Sequence, residues 1–564
     1  MIQCNRQSVF LSLLTCGLFF ACSKQSSSGN VQPPVVTPVS FSIDKVQLND
    51  LTASGTSINY GVRPSVVIRL QFTAPVDRTT VATSVSVTES TGTVVAANMS
   101  YERSDSTLVI TPATPLKGLT RYFINASTGL MSTQKAKLSA TLNTPLITQI
   151  DSTDKFPRIS DSELLDLVQK KSFAYFWDYA HPVSGLARER SNGNAETVTT
   201  GGSGFGIMSI PVAVNRNFIT RAQGLARMQT IVSFLKTKAQ RFHGVFPHWL
   251  NGTDGTVIPF SQKDDGADLV ETSFLMAGLL TARQYFDGAD AAEATLRADI
   301  NTLWNAVEWN WFRQGGQNVL YWHWSPKYNW EMNLKIQGWN EALITYILAA
   351  SANTDSIPAS VYHNGFARNG AMINGTSYWN YPLPLGPATG GPLFLAHYSF
   401  LGINPNGLSD AYANYQTQVV NHTRINYTYC VNNPKTYYGY SNACWGLTAS
   451  DIPNGYAANH PNNDIGVISP TAALSSFPYT PEESMRALKF FYYTLGDKLF
   501  RNYGFTDAFS LQNLWYADSF LAIDQGPQII MIENYRSQLV WNLLTGCPEI
   551  KRGMKQLGFM APYL

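Results

Sequence analysis

The segment from Lys263 to Phe286 carries three acidic residues at a spacing that could bring them together. Asp264, Asp268 and Glu271 stand at i, i+4 and i+7 in the run KDDGADLVETSFLMAGLLTARQYF. On a helix these positions share one face, and no Lys or Arg four residues further on relieves their repulsion. The remainder of the run is strongly apolar. Carboxylates grouped in a cleft are the arrangement that general acid–base catalysis uses.

A purely structural explanation of the same segment is an acid-rich helix N-terminus, because Asp favours helix caps and the helix dipole favours acids. This explanation accounts well for Asp264 and Asp265 and less well for Asp268. It accounts poorly for Glu271, which would lie two turns into the helix. We therefore predict catalytic roles for Asp268 and Glu271 and keep both explanations open for Asp264.

Glu341 is the second candidate. It begins an otherwise apolar helix in QGWNEALITYILAA, directly after Trp339 and Asn340. One interpretation is a first-turn acid that interacts with the helix dipole. The other is a carboxylic acid held against an indole, a setting that raises a pKa and suits a general acid. This stretch alone does not decide between them.

A third acidic group occurs in IDQGPQIIMIENYRSQLVW, a run too apolar for a surface helix. Glu533 and Arg536 are three residues apart, which predicts a buried structural ion pair between them. Asp524 and Glu533 are the next catalytic candidates if Glu271 and Glu341 are dispensable.

Histidines and tryptophans in loops could bind a ligand, since such residues are more often functional in loops than in helices. Packing is an equally good explanation for each one taken singly. The candidates for substrate binding are His248, Trp249, Trp324, Trp339, His397 and Trp445.

From Ser160 onward the apolar residues recur at helical steps, beginning with DSELLDLVQKKSFAYFWDYA. Long loops rich in Gly, Asn, Pro and Trp separate the helical segments. This pattern predicts a helical toroid, an (α/α) barrel whose loops at one end form a cleft. A large irregular helical bundle is the alternative. The predicted helices after the first are 220–240, 266–286, 291–312, 337–352, 410–427, 481–499 and 527–544.

Residues 41–148 have the short, β-branched segments and turn residues of a β-sandwich. They resemble the bacterial Ig-like modules of many lipoproteins through the Phe72–Asp77, Leu108–Pro112 and Tyr122–Ile124 segments. No group of residues here suggests catalysis. We predict an all-β spacer or docking module.

Residues 1–21 resemble a lipoprotein signal peptide: Arg6, a short apolar core and Ala21 precede Cys22. We expect Cys22 to carry the lipid, and a plain secretory signal is the alternative. Residues 22–40 are rich in Ser, Gly and Pro and predict a flexible linker. The residues after Cys22 favour the periplasmic side of the outer membrane over the cell surface.

The composition excludes some classes of partner. The net charge is +2 and charged residues make up 14% of the chain, so nucleic-acid binding is not indicated. Aromatic residues reach 12%, which suits stacking against sugar rings but also suits a large core. Cys430 and Cys444 could pair in an oxidising compartment. The spacing of Cys and His predicts no metal site, and we expect no cofactor.

The region 156–564 resembles the bacterial glucoamylase-like lipoproteins of glycoside hydrolase family 144. The resemblance is carried by HGVFPHWLNG, DDGADLVETSFLMAGLL, GWNEALI, GPLFLAHYSFLG, WGLTASD, SPTAALSSFPYTPE and DQGPQIIMIENYRS. It implies an all-α (α/α)6 barrel that hydrolyses β-1,2-glucan, chiefly as an inverting endo-enzyme. It also implies that Asp264, Asp268, Glu271 and Glu341 are the acids of the cleft.

The resulting expectation is a monomeric, exported endo-β-1,2-glucanase that releases sophorose and longer oligosaccharides. Glu341 and one of Asp268 or Glu271 would form the acid–base pair. Three alternatives remain: a glycan-binding lipoprotein without catalysis, a β-1,2-glucan transglycosylase, and an exo-acting sophorohydrolase.

Overall fold

The computed structural model describes residues 40–564. The predicted signal peptide, Cys22 and nearly all of the predicted linker lie outside the described residues.

The N-terminal module is a sandwich of two β-sheets. One sheet has the order β2-β1-β4-β7-β6 and the other the order β3-β9-β8-β5, with β3 and β9 parallel. A single short helix, α1 (Arg78–Ser84), begins at the cap Asp77. The strands are β1 (Ile43–Leu48), β2 (Leu51–Thr52), β3 (Asn59–Val62), β4 (Ile68–Phe72), β5 (Val85–Glu89), β6 (Ala97–Glu102), β7 (Thr107–Pro112), β8 (Arg121–Ala126) and β9 (Leu142–Thr148).

The two sheets pack together through the buried side chains that alternate along their strands. In β4 the residues Ile68, Leu70 and Phe72 are buried while the residues between them are partly exposed. Strand β8 alternates in the same way. This is the pattern of a sheet with one face in a core, and the predicted sandwich is confirmed.

The rest of the chain is predominantly helical. Most of its helices are amphipathic or fully buried and share one large hydrophobic core. They are α2 (Asp161–Trp177), α3 (Thr200–Asn215), α4 (Arg221–Thr237), α5 (Leu269–Tyr285), α6 (Ala291–Asn305), α7 (Leu343–Ser351), α8 (Ala359–Val361), α9 (Tyr415–Asn432), α10 (Pro470–Leu474), α11 (Pro481–Lys489), α12 (Gly496–Leu499), α13 (Ala522–Ser537), α14 (Leu539–Thr545) and α15 (Pro548–Gln556).

Short antiparallel strands shape the loops between these helices. They are β10 (Thr197–Thr199), β11 (Trp249–Asn251), β12 (Val257–Ile258), β13 (Ala267–Asp268), β14 (Leu320–Tyr321), β15 (His323–Trp324), β16 (Lys335–Ile336), β17 (Ser377–Tyr378), β18 (Tyr381–Pro382), β19 (Ala449–Ile452), β20 (Gly455–Ala458), β21 (Phe500–Arg501), β22 (Gly504–Phe505), β23 (Phe509–Ser510) and β24 (Trp515–Tyr516). Within residues 40–564, no helix combines the length and apolarity that crossing a bilayer requires.

Helix α3 is the main element that the sequence pattern did not predict. Its segment TGGSGFGIMSIPVAVN contains four glycines and Pro211, which ordinarily indicate a loop. The helix forms because it is buried almost along its whole length. Tertiary packing therefore overrides the low helix propensity of this segment.

The glycines of α3 allow an unusually close approach to α5. A Cβ on Gly204 would stand 2.2 Å from the carbonyl oxygen of Phe274, and a Cβ on Gly278 would stand 2.3 Å from that of Gly204. A side chain at either position would push the two helices apart. These contacts fix how α5 lies against α3.

The sandwich is docked against the helical domain. The ring of Tyr60 stacks on Tyr438 at 5.1 Å between centroids, and the Tyr438 hydroxyl donates to the Thr148 carbonyl at 3.2 Å. Leu119 is buried in the large helical core. The module is thus a packed part of the molecule.

We expect Gly204→Ala to lower the stability of the helical domain by about 1–3 kcal/mol or more, because the new methyl group overlaps the α5 backbone. The melting temperature measured by differential scanning calorimetry should fall by several degrees. Ser233→Ala, at an exposed position of α4, is the control and should melt like the parent. An unchanged melting temperature in Gly204→Ala would show that α3 and α5 are not held at this distance.

Candidate active site

A cavity of about 530 Å³ opens in the helical domain where several helices begin. Its wall includes residues at or near the N-terminal ends of α3, α5, α7 and α13. Three carboxylates, Glu189, Glu271 and Glu341, line it together with aromatic rings. Helix N-termini carry partial positive charge, so this is a favourable place for acids. Its volume and its apolar lining with a few polar groups are typical of a small-molecule site.

Asp268 is the fully buried acid that begins α5. Its Oδ1 accepts hydrogen bonds from the backbone N–H groups of Val270 and Glu271, each at 3.0 Å. Its Oδ2 lies 2.9 Å from His248 Nδ1 and 3.4 Å from His323 Nε2. Both oxygens are therefore occupied by donors, and Asp268 acts as a cap and as an anchor for two histidines.

Asp264 completes this group. Its Oδ2 lies 3.2 Å from His323 Nε2, and its side chain is almost entirely buried. We name Asp264, Asp268, His248 and His323 the ion quartet. Two carboxylates and two imidazolium groups give it no net charge, which makes its burial tolerable.

The pKa values agree with this charge balance. Burial alone would raise the pKa of Asp268, but the hydrogen bonds and charges of His248 and His323 outweigh it and lower that pKa. Burial alone would lower the pKa of both histidines. The charge of Glu271 and the bond to Asp268 instead raise the pKa of His248 to about 9, and the bonds to Asp264 and Asp268 raise that of His323 to about 10.

Glu271 connects α5 to the start of α3. Its Oε2 accepts a hydrogen bond from the Gly201 N–H at 2.7 Å. A Cβ on residue 201 would stand 2.6 Å from that oxygen, so only glycine permits this contact. Burial raises the pKa of Glu271 and the nearby charge of Asp268 adds to this, although His248 opposes it.

Glu341 precedes α7 in the cavity wall. Its backbone carbonyl accepts a hydrogen bond from the Ser399 hydroxyl, which fixes the turn into the helix. Burial is the main cause that raises the pKa of its side chain to about 7, and the charges of Glu271 and Asp268 also raise it. Glu341 is therefore protonated over part of the neutral range, as the general-acid hypothesis requires.

The prediction that Asp264, Asp268 and Glu271 share one face of a helix is wrong, because only one of them lies in a helix. Helix α5 begins at Leu269, so Asp264 lies in the preceding loop and Asp268 is the cap. Only Glu271 lies within the helix, in its first turn. The cap explanation accounts for Asp268, yet the acids still gather, because His323 on β15 links Asp264 to Asp268.

Two of the six predicted binding residues line the cavity. They are His248 and Trp249, next to the half-exposed ring of Phe260. Trp324 is half-buried beside Phe242 and Trp311, away from the cavity lining.

Three of the predicted binding residues are core residues instead. His397 is 3% exposed and bonds Ser476, and burial lowers its pKa to about 3, so it is a neutral packed histidine. Trp445 is fully buried, and its indole N–H donates to the Glu483 carbonyl. Trp339 is buried against Phe400 and Tyr415. Sequence cannot distinguish these aromatic residues from cleft residues because both occur in loops.

The predicted ion pair between Glu533 and Arg536 does not form. Glu533 is fully buried and pairs with Arg216 at 2.7 Å, whereas Arg536 pairs with Asp166 at 2.6 Å. Both interactions tie helices together and are structural. Cys430 and Cys444 are free buried thiols in this structure.

Sequence reasoning missed Glu189 and Arg190, which line the cavity. It did not connect Arg190 with Asp451, the last residue of the WGLTASD segment, which lies 2.6 Å away and receives a 2.5 Å bond from Ser519. These residues are far apart in the chain and lie in loops without periodicity. The run of charges in GLARERSNG was a signal for Glu189 and Arg190.

The ion quartet also contains the atoms that a metal ion would use. Ligand atoms of His248, Asp264 and Asp268 lie within 4.8 Å of one another. In this structure His248 Nδ1 faces Asp268, and the raised pKa of His248 favours a proton at that atom. A metal ion would have to displace that proton.

Comparisons with known proteins agree with this architecture. Residues 333–548 match the family model described as "Putative glucoamylase", and residues 44–146 match "Bacterial Ig-like domain", which confirms the predicted module. The chain is 52% identical to the endo-β-1,2-glucanase of Chitinophaga pinensis, solved with sophorotriose and glucose. That match covers 72% of this chain and 100% of the other, with a TM-score of 0.71.

Two further relatives come from Parabacteroides distasonis. The structure of a β-1,2-glucanase is 36% identical and covers 92% of this chain and 74% of that one, with a TM-score of 0.69. An exo β-1,2-glucooligosaccharide sophorohydrolase acting at the non-reducing end is 44% identical over 437 residues, 74% of this chain. The match spans 60% of the length of that sophorohydrolase.

We expect Asp268→Asn to lower the pKa of both His248 and His323, since their shared carboxylate is lost. In the parent their pKa values lie above the ordinary 6.5. The two histidines therefore contribute their full stabilisation below about pH 6.5 and lose it as pH rises through about 9 to 10. NMR titration of the Cε1–H signals of labelled histidine, of which the chain has 8, measures both values.

Glu308→Gln is the matched control. It removes a carboxylate from a different histidine, His243, at 2.8 Å and should leave the titrations of His248 and His323 unchanged. Either of these two histidines titrating near 6.5 in the parent protein would contradict the quartet.

Proposed function

The chain belongs to glycoside hydrolase family 144, and on that premise we propose that it hydrolyses the linkages of β-1,2-glucan by carboxylate acid–base catalysis. The observation that carries the proposal is Glu341. A carboxylic acid with a pKa of about 7 borders a cavity that also exposes Glu271 and aromatic rings. The relatives described above act on β-1,2-linked substrates, which supports this choice of glucan.

Glu341 is the general acid of the proposed reaction. Its proton passes to the glycosidic oxygen as the bond between that oxygen and the anomeric carbon breaks. A water molecule attacks the anomeric carbon from the opposite face and gives its proton to a second carboxylate. Burial and the charge of Glu271 keep Glu341 protonated until this step.

Glu271 is the second carboxylate of this scheme. Asp268 is unsuited to accept a proton from water, because both of its oxygens already accept hydrogen bonds. Glu271 has one oxygen bonded to Gly201 and borders the cavity. The ion quartet, Asp264 included, then serves to position α5 and to set the charge around Glu271.

This pair favours inversion of the anomeric carbon. Glu271 lies in α5, and Glu341 lies just before α7. A pair separated across a cleft leaves room for water, and inverting enzymes hold their carboxyl groups roughly 6.5–9.5 Å apart. Neighbouring acids on one helix would lie closer to the retaining distance.

We also propose endo action. The endo-acting relative of Chitinophaga pinensis is matched along its whole length, whereas the exo-acting relative is matched over 60% of its length. Aromatic rings along the cavity, including Trp249, Phe260 and Trp322, would stack on sugar units on both sides of the cleaved bond.

We further propose that the helical domain is an (α/α)6 barrel. In such a barrel, helical segments alternate between an inner and an outer position along the chain. Helix α3 packs between α5 and α13, and α5 packs against α7, as neighbours in an inner ring would. The inner segments of this scheme are α3, α5, α7, the turns at Leu393–Ala396 and Tyr398–Leu401, α10 and α13.

Cellular placement completes the proposal. We propose a lipid on Cys22 that anchors the chain to the outer membrane, on the periplasmic side, and a monomeric enzyme. The signal-like pattern of residues 1–21 supports the anchor.

Glu341→Gln and Glu271→Gln should each reduce kcat at least about a hundredfold while the melting temperature changes little, because an amide keeps the shape but cannot exchange the proton. In the parent, kcat/KM should fall as pH rises through about 7, where Glu341 ionises. Glu308→Gln, an exposed acid outside the cavity, should be fully active. Normal turnover in both cavity variants would rule out Glu341 and Glu271 as the acid–base pair.

Linear β-1,2-glucan should release reducing sugar, and β-1,3- and α-1,4-glucans should not. Endo action predicts a series of oligosaccharides, whereas sophorose as the only early product would establish exo action.

Proton NMR of the first products should show the α-anomer, as inversion requires. The β-anomer would establish a covalent intermediate and favour the transglycosylase alternative. Binding without any release of sugar would establish a glycan-binding protein.

A further inference from the structure

Glu189 is a cavity carboxylate that the proposed acid–base pair does not use. Its side chain is 25% exposed, and it accepts no hydrogen bond from any residue in the range 40–564. The nearest cation is its neighbour Arg190, whose Nε lies 3.5 Å from Glu189 Oε2. Partial burial has removed some of the water around this carboxylate, which costs free energy, and no hydrogen-bond donor has replaced that water.

The backbone of Glu189 is nonetheless firmly held. Its N–H donates to the Thr197 carbonyl at 3.1 Å, and its carbonyl accepts from the Ala522 N–H at 3.0 Å. The second bond joins it to the start of α13. The orientation of the side chain toward the cavity is thus set by the fold rather than by a side-chain partner.

Arg190 is engaged by a different acid. Its Nη2 lies 2.6 Å from Asp451 on β19, and the Asp451 N–H donates to Asp507 at 2.6 Å. These bonds draw the guanidinium toward the β19–β20 hairpin and leave its Nε without a hydrogen bond in the described part of the chain. Arg190 therefore supplies positive charge near Glu189 without occupying the carboxylate.

Glu189 and Glu341 lie on different parts of the cavity wall. The carbonyl of Glu189 is bonded to Ala522 at the start of α13, whereas Glu341 precedes α7 and its carbonyl accepts a bond from Ser399. A sugar chain in the cavity would therefore meet the acid Glu341 at one place and Glu189 at another.

We propose that Glu189 is a sugar-binding residue that accepts hydrogen bonds from two adjacent hydroxyl groups of a glucosyl unit next to the cleaved bond. The proposal rests on the proposed function. In a β-1,2-linked unit the oxygens at C1 and C2 are used in linkages, which leaves the neighbouring hydroxyls at C3 and C4 free. Two parallel O–H donors match the two oxygens of one carboxylate, and such charge-assisted bonds are short and strong.

Recognition of the hydroxyl groups at C3 and C4 would contribute to specificity for the β-1,2 linkage. A β-1,3-linked chain uses the oxygen at C3, and an α-1,4-linked chain uses the oxygen at C4, so neither offers both donors. Arg190 is a positioning residue in this scheme, since Asp451 holds its guanidinium beside Glu189. The burial that raises the pKa of Glu189 also strengthens its bonds to hydroxyl groups.

The test measures binding and turnover separately. In a Glu341→Gln background, which lacks the proposed acid, isothermal titration calorimetry gives the Kd of a linear β-1,2-glucooligosaccharide. Adding Glu189→Ala should raise this Kd about tenfold to a hundredfold, the loss expected for hydrogen bonds to a charged group. Glu189→Gln, which retains one acceptor, should show a smaller loss and guards against misfolding of the alanine variant.

In the otherwise unmodified enzyme, Glu189→Gln should raise KM with kcat reduced only a few fold. Glu308→Gln should match the parent in both assays. An unchanged Kd with Glu189→Ala would overturn the proposal. So would a hundredfold loss of kcat at unchanged KM, because it would make Glu189 the proton acceptor. If the parent cleaves no β-1,2-glucan and the Glu341→Gln variant does not bind it, the proposed function itself fails.

Discussion

The cavity depends on one buried charge, that of Asp268. This carboxylate starts α5 through two backbone bonds and holds two histidines through its other oxygen. A buried ion of this kind is tolerable only when donors surround it, and here the donors also come from the β11 and β15 regions. One interaction therefore determines where a helix begins, where two loops lie and which charges face Glu271.

Burial has opposite outcomes for the protonation of two acids at this site. In the ion quartet, opposite charges compensate one another, so Asp268 stays ionised and the two histidines stay protonated. At Glu341 no cation of residues 40–564 compensates burial, and the acid keeps its proton to about pH 7. The difference comes from the positions of the histidines. Two buried carboxyl groups, Asp268 and Glu341, thus differ in protonation because of the charges beside them.

The sequence was informative where a single segment carried the signal. The sandwich strands, most of the long helices and the gathering of Asp264, Asp268, Glu271 and Glu341 were predictable from periodicity, local acid spacing and family resemblance. Helix α3 was not, because its glycines and Pro211 indicate a loop unless its burial is known. Glu189 and the buried state of Trp445 depend on contacts between distant loops, which no local pattern encodes.

The close approach of α3 and α5 has an evolutionary consequence. Each helix occupies the space that a side chain on the other would need, so neither Gly204 nor Gly278 can be replaced gradually. Any side chain there would separate the helices and move Glu271 away from Gly201, so the scaffold and its acids would be inherited as a unit. Diversification among descendants of this chain would then be confined to the loops and hairpins at the rim, such as β19–β20, where a change alters which sugar is admitted but not how the bond is broken.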